Sequence, residues 1–351
     1  MGKILELENL NIGYTQAGHR KEVASDLCAS LMKGEMTCLL GANGKGKSTL
    51  MKTICGFLKP LNGSLQFNGR DITRMTEREM AKEIAIVLTE KISTPNATVF
   101  ELVAYGRSPF TGFLGRLSAK DKQIVDEAIF ACGIQHKKYS PLAALSDGER
   151  QKATIAKALA QDTPLILLDE PTAFLDLPAR VEIMQLLRKL ASEKGKSILM
   201  STHDLDLALQ MSDRLWLLHH DQIVAGSPED LTLINAFQSM FNKGGVEFDN
   251  KTGMFKVLYN HESLLPVHGH GFEYVLLRRA FARKGIKLIQ GKQNEAVWIN
   301  IMNNSTRPYV LMNGEDVSED FASIEETVKR VIQQLSQTSS VKFEVNEITS
   351  N

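Results

Sequence analysis

At 351 residues the chain exceeds a typical single domain, so one large domain with a smaller companion is the first expectation. Its content of 43% hydrophobic and 23% charged residues is that of a soluble globular protein. Basic and acidic residues balance at 41 each, which argues against a nucleic-acid binder that works by bulk charge.

Ile4 to Leu10 alternates as a strand of an exposed sheet; Asn11-Ile12-Gly13-Tyr14 follows, then a polar loop to about Lys21. Val23 to Met32 is a second strand region, Lys33-Gly34-Glu35 a tight turn, and Met36 to Leu40 a buried strand. A Gly-rich turn leads into a helix that runs to Phe57 and is ended by Gly56, Pro60 and Asn62-Gly63. Ser64 to Gly69 reads as strand and turn, Glu77 to Lys82 as a helix, and Ile84 to Leu88 as a strand ending in Thr89-Glu90-Lys91. Thr98 to Gly106 has the pattern of an amphipathic helix, followed by a loop carrying Arg107, Pro109, Phe110 and Phe113. Ala119 to Cys132 is helical. Ser146, with Glu149 three residues on, forms a capping box before the helix Lys152 to Ala160.

Leu165 to Glu170 is a buried strand that delivers two adjacent carboxylates at its end. Arg180 to Glu193 is an amphipathic helix, and Ser197 to Thr202 a third buried strand ending in His203-Asp204. Leu205 to Met211 is helical, and Arg214 to Leu218 with Gln222 to Ala225 reads as a hairpin around His219-His220-Asp221. Apolar strands alternating with helices imply an α/β fold with a largely parallel sheet covered on both faces. Gly, Lys and Asn mark a linker around Asn242 to Thr252, so a first domain is expected over residues 1–245 and a second over 253–351. The second has expected strands at Met254–Leu258, Ile286–Ile289, Ala296–Met302, Pro308–Met312 and Val341–Val345, with helices at Phe272–Lys284 and Ala322–Leu335. That is a small α+β domain without a catalytic pattern.

No apolar run approaches the roughly 18 residues that span a bilayer. The longest, Pro164 to Leu168, stops at Asp169. The start Met1-Gly2-Lys3-Ile4-Leu5-Glu6 lacks a signal-peptide core and has Glu where a myristoylation site wants Ser or Thr. Any membrane role is therefore expected to come through a partner. Cys28, Cys38, Cys55 and Cys132 form no CxxC pair and are expected to be reduced thiols of a cytoplasmic protein.

The chemistry concentrates in Gly41-Ala42-Asn43-Gly44-Lys45-Gly46-Lys47-Ser48-Thr49, set between strand and helix. Gly41, Gly44 and Gly46 let successive N–H groups point inward, Lys47 reaches outer phosphates, and the Ser48 hydroxyl is suited to Mg²⁺. This is a phosphate-binding loop. Such a loop alone fits kinases, GTPases and transport ATPases alike. Asp169 at its strand end is suited to the Mg²⁺ shell, and Glu170 to polarising an attacking water, which points to hydrolysis. His203, at the end of a neighbouring strand, is placed to donate to a γ-phosphate. Tyr14 reads equally as a base-stacking aromatic or as an ordinary edge aromatic.

Leu145-Ser146-Asp147-Gly148-Glu149-Arg150-Gln151, then Leu167-Leu168-Asp169-Glu170-Pro171-Thr172, Leu175-Asp176 and Ser201-Thr202-His203-Asp204, resembles the nucleotide-binding subunit of an ABC transporter over residues 3–235. The resemblance implies a P-loop ABC-type domain with an antiparallel N-terminal β subdomain and a helical subdomain. It makes Tyr14 the adenine-stacking aromatic, Gly41 to Thr49 the Walker A loop (including Asn43), Asp169 the Walker B Asp and Glu170 the catalytic Glu. Asp176 becomes the D-loop and His203 the switch histidine. Ser146 and Gly148 would bind the γ-phosphate of ATP held by a second copy, in a head-to-tail dimer with ATP and Mg²⁺ as cofactors. Polytopic permease subunits and, indirectly, a solute-binding protein are the implied partners, with no nucleic acid, and the place is the cytoplasmic face of the inner membrane.

Three residues depart from the family pattern Leu-Ser-Gly-Gly-Gln and from the Q-loop. Asp147 and Glu149 replace Gly and Gln, and Glu90 stands where the Q-loop glutamine is expected, as a carboxylate still able to ligate Mg²⁺. Thr98 to Phe110 is similar to a region of importers for iron–siderophore complexes, haem and cobalamin, so an iron–siderophore importer ATPase is the leading expectation. Haem or cobalamin import is the alternative, and a soluble ABC-type ATPase acting on DNA or ribosomes or a non-catalytic binder ranks lower. His219-His220 and the group His261, His268 and His270 are weaker metal candidates, read first as solvated turns. The basic run Leu277 to Lys284 reads as the exposed face of a helix.

Overall fold

The computed structural model describes residues 2–16, 19–89, 96–112, 115–219, 222–241, 245–249, 254–291, 297–302 and 305–337. Glu90, Phe113, His220 and the expected strand Val341–Val345 lie outside the described residues. The described chain divides into two compact units, one of Met1–Asn242 with Phe248–Met254, the other of Lys243–Glu247 with Phe255–Asn351.

The first unit opens with two long strands, β1 (Lys3–Gln16) and β2 (His19–Met32), then β3 (Met36–Gly41) and α1 (Lys47–Ile54). β4 (Asn62–Phe67), β5 (Arg70–Asp71), α2 (Glu77–Glu83) and β6 (Ile84–Val87) follow. The helical part is α3 (Val99–Ala104), α4 (Ala119–Ala131) and α5 (Asp147–Ala160). After it come β7 (Leu165–Asp169), α6 (Leu177–Lys194), β8 (Ser197–Ser201), α7 (Leu205–Met211), β9 (Arg214–His219) and β10 (Gln222–Gly226). The unit closes with α8 (Pro228–Leu233) and α9 (Ala236–Phe241).

These strands make two sheets. One is antiparallel, in the order β2-β1-β4-β5. The other has the order β10-β9-β3-β8-β7-β6 and is parallel except for the β9–β10 hairpin. Every residue of β3, β7 and β8 is buried, as the continuous apolar runs require of strands covered on both faces. Leu5, Leu7, Leu27 and Phe67 of the antiparallel sheet share one core with Leu39, Leu167, Leu199 and Trp216 of the parallel sheet and with Leu50 and Met51 of α1.

The polar loop expected up to Lys21 is instead strand on both sides, with Tyr14 paired to Lys21 and Gln16 to His19. Polar side chains do not oppose a strand whose backbone is satisfied by a partner and whose side chains face water. The ladder absorbs its irregularities at register shifts, and Asn9 and Asp26, with φ of +46° and +52°, are residue types that tolerate left-handed backbone. α8, capped by the Ser227 side chain and carrying Pro228 in its first turn, and α9 were not expected from the pattern.

The second unit contains β13 (Ser263–His268), α10 (Phe272–Ala282), β14 (Ile286–Gln290), β15 (Trp298–Ile301), β16 (Tyr309–Asn313), β17 (Asp316–Phe321) and α11 (Ile324–Gln337); β11 (Val246–Asp249) and β12 (Met254–Val257) lie where the chain passes between units. Its sheet runs β14-β13-β15-β16-β17, with β13 parallel to both neighbours. β13 and β17 stand where the sequence pattern gives no strand. Pro266 reads against a strand, yet β15 joins β13 only at Val267 and His268, so Pro266 leaves no ladder donor missing there. β17 hides its alternation behind charge, being largely exposed at the sheet edge. β11 occupies part of the expected linker. On α10, Leu277, Ala280 and Phe281 are buried while Arg278 and Arg279 are exposed, as expected of the basic run. His268 ends β13 rather than lying in a free turn, and among the described residues no group of three or more metal-ligating side chains forms.

Candidate functional site

The site begins with register. β3 pairs β8 with Leu39 opposite Ser201, and β7 pairs β8 with Asp169 opposite Ser201. Parallel pairing therefore brings the ends of three strands, distant in sequence, to one sheet edge, where open α/β sheets bind ligands. The loop from Gly41 to Gly46 leaves β3 at that edge and enters α1.

Gly46 shows why the loop needs glycine. Its φ is +99°, and a Cβ there would lie 2.8 Å from Val23 Cγ1, so both backbone shape and packing forbid a side chain. Gly46 is also the N-cap of α1 and makes no side-chain cap, which leaves backbone N–H groups of the first turn to serve an anion. Lys47 is buried, and its Nζ donates to the Gly41 carbonyl at 2.7 Å and the Ala42 carbonyl at 3.4 Å. Burial pushes its ammonium below the usual lysine range, opposed by the negative charges of Glu170 and Asp169. Ser48 and Asn43 are exposed at the loop. Thr49 is buried, with its hydroxyl 3.0 Å from the Tyr14 hydroxyl, while the Tyr14 side chain keeps an exposed surface.

Asp169 ends β7, nearly buried. Its Oδ1 accepts from Ser201 Oγ at 2.6 Å, and its carbonyl accepts from Thr89 Oγ1 at 2.8 Å. Glu170 follows with φ +50°, a left-handed conformation that a non-glycine residue adopts at a cost. Its N–H donates to Ser201 Oγ at 2.9 Å, and its Oε1 lies 2.5 Å from His203 Nε2. Tyr14, Lys47, Thr49, Asp169, Glu170 and His203 are thus joined through contacts or close charges around one edge.

Ser146, Gly148 and Asp176 form a second group. Ser146 caps α5 and Asp176 caps α6, each accepting from a backbone N–H of its first turn. A Cβ at Gly148 would meet Ala179 Cβ at 3.5 Å, ordinary contact, so the two helix starts are neighbours. No hydrogen bond of these three residues among the described residues reaches the phosphate loop. The two departures from the family pattern acquire a local reason. Glu149 turns back to accept from the Ser146 N–H at 2.9 Å and lies 3.3 Å from Lys137, and the Ser146 N–H, above all, holds its carboxyl below the usual range. Asp147 lies 3.6 Å from Arg150.

Residues 24–173 match the family model described as ABC transporter. The chain is 38% identical to the achromobactin transport ATP-binding protein CbrD of Dickeya dadantii, across 66% of this chain and 86% of that protein. The chain belongs to the ABC transporter ATP-binding proteins. It is 40% identical to the iron(3+)-hydroxamate import ATP-binding protein FhuC of Bacillus subtilis, across 63% of this chain and 80% of that one. A dimeric bacterial ABC transporter cassette superposes with a TM-score of 0.56 at 25% identity, covering 64% of this chain and 99% of that chain. Membership in this family makes the protein an ATPase whose hydrolysis is coupled to transport. Among its described residues no helix is long and apolar enough to cross a membrane.

Sequence reasoning passed over Ser201 and Thr89 in this ABC protein. Ser201 stood inside the run Ser201-Thr202-His203-Asp204, but nothing in the run showed that its hydroxyl faces β7. It also left Gly106 and Arg107 without a role. A Cβ on Gly106 would sit 2.2 Å from the Lys157 carbonyl, so this glycine lets its turn press against α5. Arg107 is buried, donating from Nε to Asp121 Oδ1 and from Nη1 to the Ala160 carbonyl, both at 2.9 Å.

Proposed function

We propose that this ABC ATPase drives import of iron–siderophore complexes, sitting on the cytoplasmic face of the membrane through polytopic permease subunits and working as a head-to-tail dimer. The observation that carries the hydrolytic reading is the shared sheet edge: the Lys47 loop, Asp169 and the Glu170–His203 pair meet there. The residues fit a nucleoside triphosphate with Mg²⁺. The uncapped α1 start and Lys47 suit phosphates, and the Ser48 hydroxyl and Asp169 carboxylate are the hard oxygen donors that Mg²⁺ takes. Bound there, the cation supplies neutralisation of developing phosphate charge.

In this reading the chain's own residues divide the work. Lys47 exchanges its loop carbonyls for phosphate oxygens. Glu170 takes a proton from the attacking water, and His203, 2.5 Å away, orients that carboxylate and donates toward the γ-phosphate. The Tyr14 ring faces the adenine. Ser146 and Gly148 of a second copy close over the phosphates, with Asp176 at the seam. Gly148 supports this, because among the described residues a Cβ there would meet only Ala179 at ordinary contact distance, so its lack of a side chain is not demanded by them. Glu90 is assigned to Mg²⁺ and the water from its sequence position.

The iron–siderophore class is supported by the import names of the relatives and by the Thr98–Phe110 stretch. Two experiments test the proposal. Purified protein should release phosphate from ATP only with Mg²⁺, and Glu170→Gln should slow that release by about 100- to 10,000-fold while nucleotide still binds. Deleting the protein from its cell should remove uptake of radiolabelled ferric siderophore; loss of haem or cobalamin uptake in its place would reassign the cargo.

A further inference from the structure

We propose that Ser201 is the positioning residue of the hydrolytic centre, using one hydroxyl to hold the Asp169 carboxylate and the Glu170 backbone in register. The inference rests on the roles given to Asp169 and Glu170 above. Ser201 closes β8, is fully buried, and stands opposite Asp169 in the parallel ladder. Its Oγ lies 2.6 Å from Asp169 Oδ1 and 2.9 Å from the Glu170 nitrogen.

The direction of both bonds is forced. An ionised carboxylate only accepts and a backbone N–H only donates, so the hydroxyl must give its proton to Asp169 and take the Glu170 N–H on a lone pair. The result is a short donor chain from Glu170 N–H through Ser201 to the Asp169 charge. The bond to the carboxylate is charge-assisted, and each link polarises the next in a buried setting.

Two consequences follow for the reacting groups. With Oδ1 held by Ser201, rotation of the carboxylate is restricted, and Oδ2 is the oxygen that would be left to hold the cation; the backbone beneath it is fixed by Thr89, which donates to the Asp169 carbonyl at 2.8 Å. Glu170, in turn, stands at φ +50°, a conformation that persists only when its surroundings hold it. Its N–H on Ser201 and its carbonyl, which accepts from the Ala173 N–H at 3.0 Å, pin both sides of that residue. The side chain is thereby delivered to His203. Ser201 touches no reacting atom in this scheme; it acts through two residues that do.

A hydroxyl that merely satisfies a stray strand-end donor would affect stability alone. A positioning hydroxyl affects the metal-dependent and hydrolytic steps selectively, as partners one bond away from metal ligands generally do, by about 10- to 100-fold. The test is Ser201→Ala in the full chain, with ATP affinity measured in EDTA and in Mg²⁺ and with steady-state ATPase kinetics at saturating metal. The expected result is unchanged affinity in EDTA, a smaller gain in affinity on adding Mg²⁺, and kcat lowered by about 10- to 100-fold. Unchanged kcat with an unchanged Mg²⁺ gain overturns the proposal. So does an equal loss of affinity with and without metal, which marks a purely structural hydroxyl. If the alanine variant does not fold, Ser201→Cys, close in volume and weaker in both hydrogen bonds, takes the same comparison. Wild-type protein lacking Mg²⁺-dependent ATPase activity would overturn the underlying functional reading, which is a separate outcome.

Discussion

His203 Nε2 stands 2.5 Å from Glu170 Oε1, tying the residue after β7 to the end region of β8 across the mouth of the site. A carboxylate gripped in this way is oriented without losing its second oxygen. Glu170→Gln keeps the shape and removes the base, so turnover should fall by about 100- to 10,000-fold while nucleotide affinity holds. His203→Ala should also lower kcat with little change in KM. Phosphate-release assays paired with equilibrium nucleotide binding check both; a parallel collapse of binding would refute the assignment.

The Tyr14 hydroxyl meets Thr49, while the residue remains 40% exposed. The hydroxyl and the ring therefore make separable contributions. Tyr14→Phe should leave ATP affinity nearly unchanged, whereas Tyr14→Ala should weaken it by roughly 10-fold, the scale of one lost base–aromatic stack. Titration with a fluorescent ATP analogue distinguishes them, and equal effects of the two variants would show that the ring does not stack.

Acid should loosen the helices with capping boxes first. Four helices open with reciprocal capping boxes: Thr76 with Glu79, Thr98 with Glu101, Ser118 with Asp121, and Ser146 with Glu149. The hydrogen bonds from those cap residues hold all four carboxyls below their ordinary values of 4.5 for Glu and 3.8 for Asp. As pH falls through this range the unfolded chain takes up protons before the folded one does, so the contribution present above the unfolded values is lost. Hydrogen exchange at pH 3.5 and pH 6 should show protection falling in α2 to α5 before it falls in β3, β7 and β8.

Arg107 and Asp121 form an ion pair with both side chains largely buried, and Arg107 also satisfies the last-turn carbonyl of Ala160. Arg107→Met keeps the bulk but leaves Asp121 and that carbonyl without their partner. We expect a loss of about 3 kcal/mol, seen as a lower urea midpoint with the m-value unchanged. Arg107→Lys should recover only part, because one ammonium does not reproduce the guanidinium fork.

Phe174 is 82% exposed and sits at φ +64°, an unfavourable place for an aromatic residue in an isolated chain. The second copy of the proposed dimer is expected to cover it. Phe174→Asn, which suits left-handed backbone, should leave the melting temperature unchanged or raised and should weaken ATP-dependent dimerisation. Sedimentation of Phe174→Asn in the Glu170→Gln background with ATP reads this directly.

Much of the architecture is legible in local pattern. Buried apolar runs mark β3, β7 and β8, and the Ser146–Glu149 spacing marks the start of α5, because strand burial and helix capping depend on neighbouring residues. The polar hairpin of β1 and β2, and β13 with its proline, are not legible, because a partner strand supplies what their composition does not.

The run from Gly41 to Leu50, followed by Asp169-Glu170 and His203, determined by itself that this chain handles a triphosphate, since glycine placement and residue chemistry are written locally. Only the tertiary structure decided which groups meet. The parallel register that sets Ser201 opposite both Leu39 and Asp169 is a long-range choice made by burying three apolar strands together. Through it one buried serine hydroxyl reaches a carboxylate 32 residues away, a relationship that no local pattern encodes.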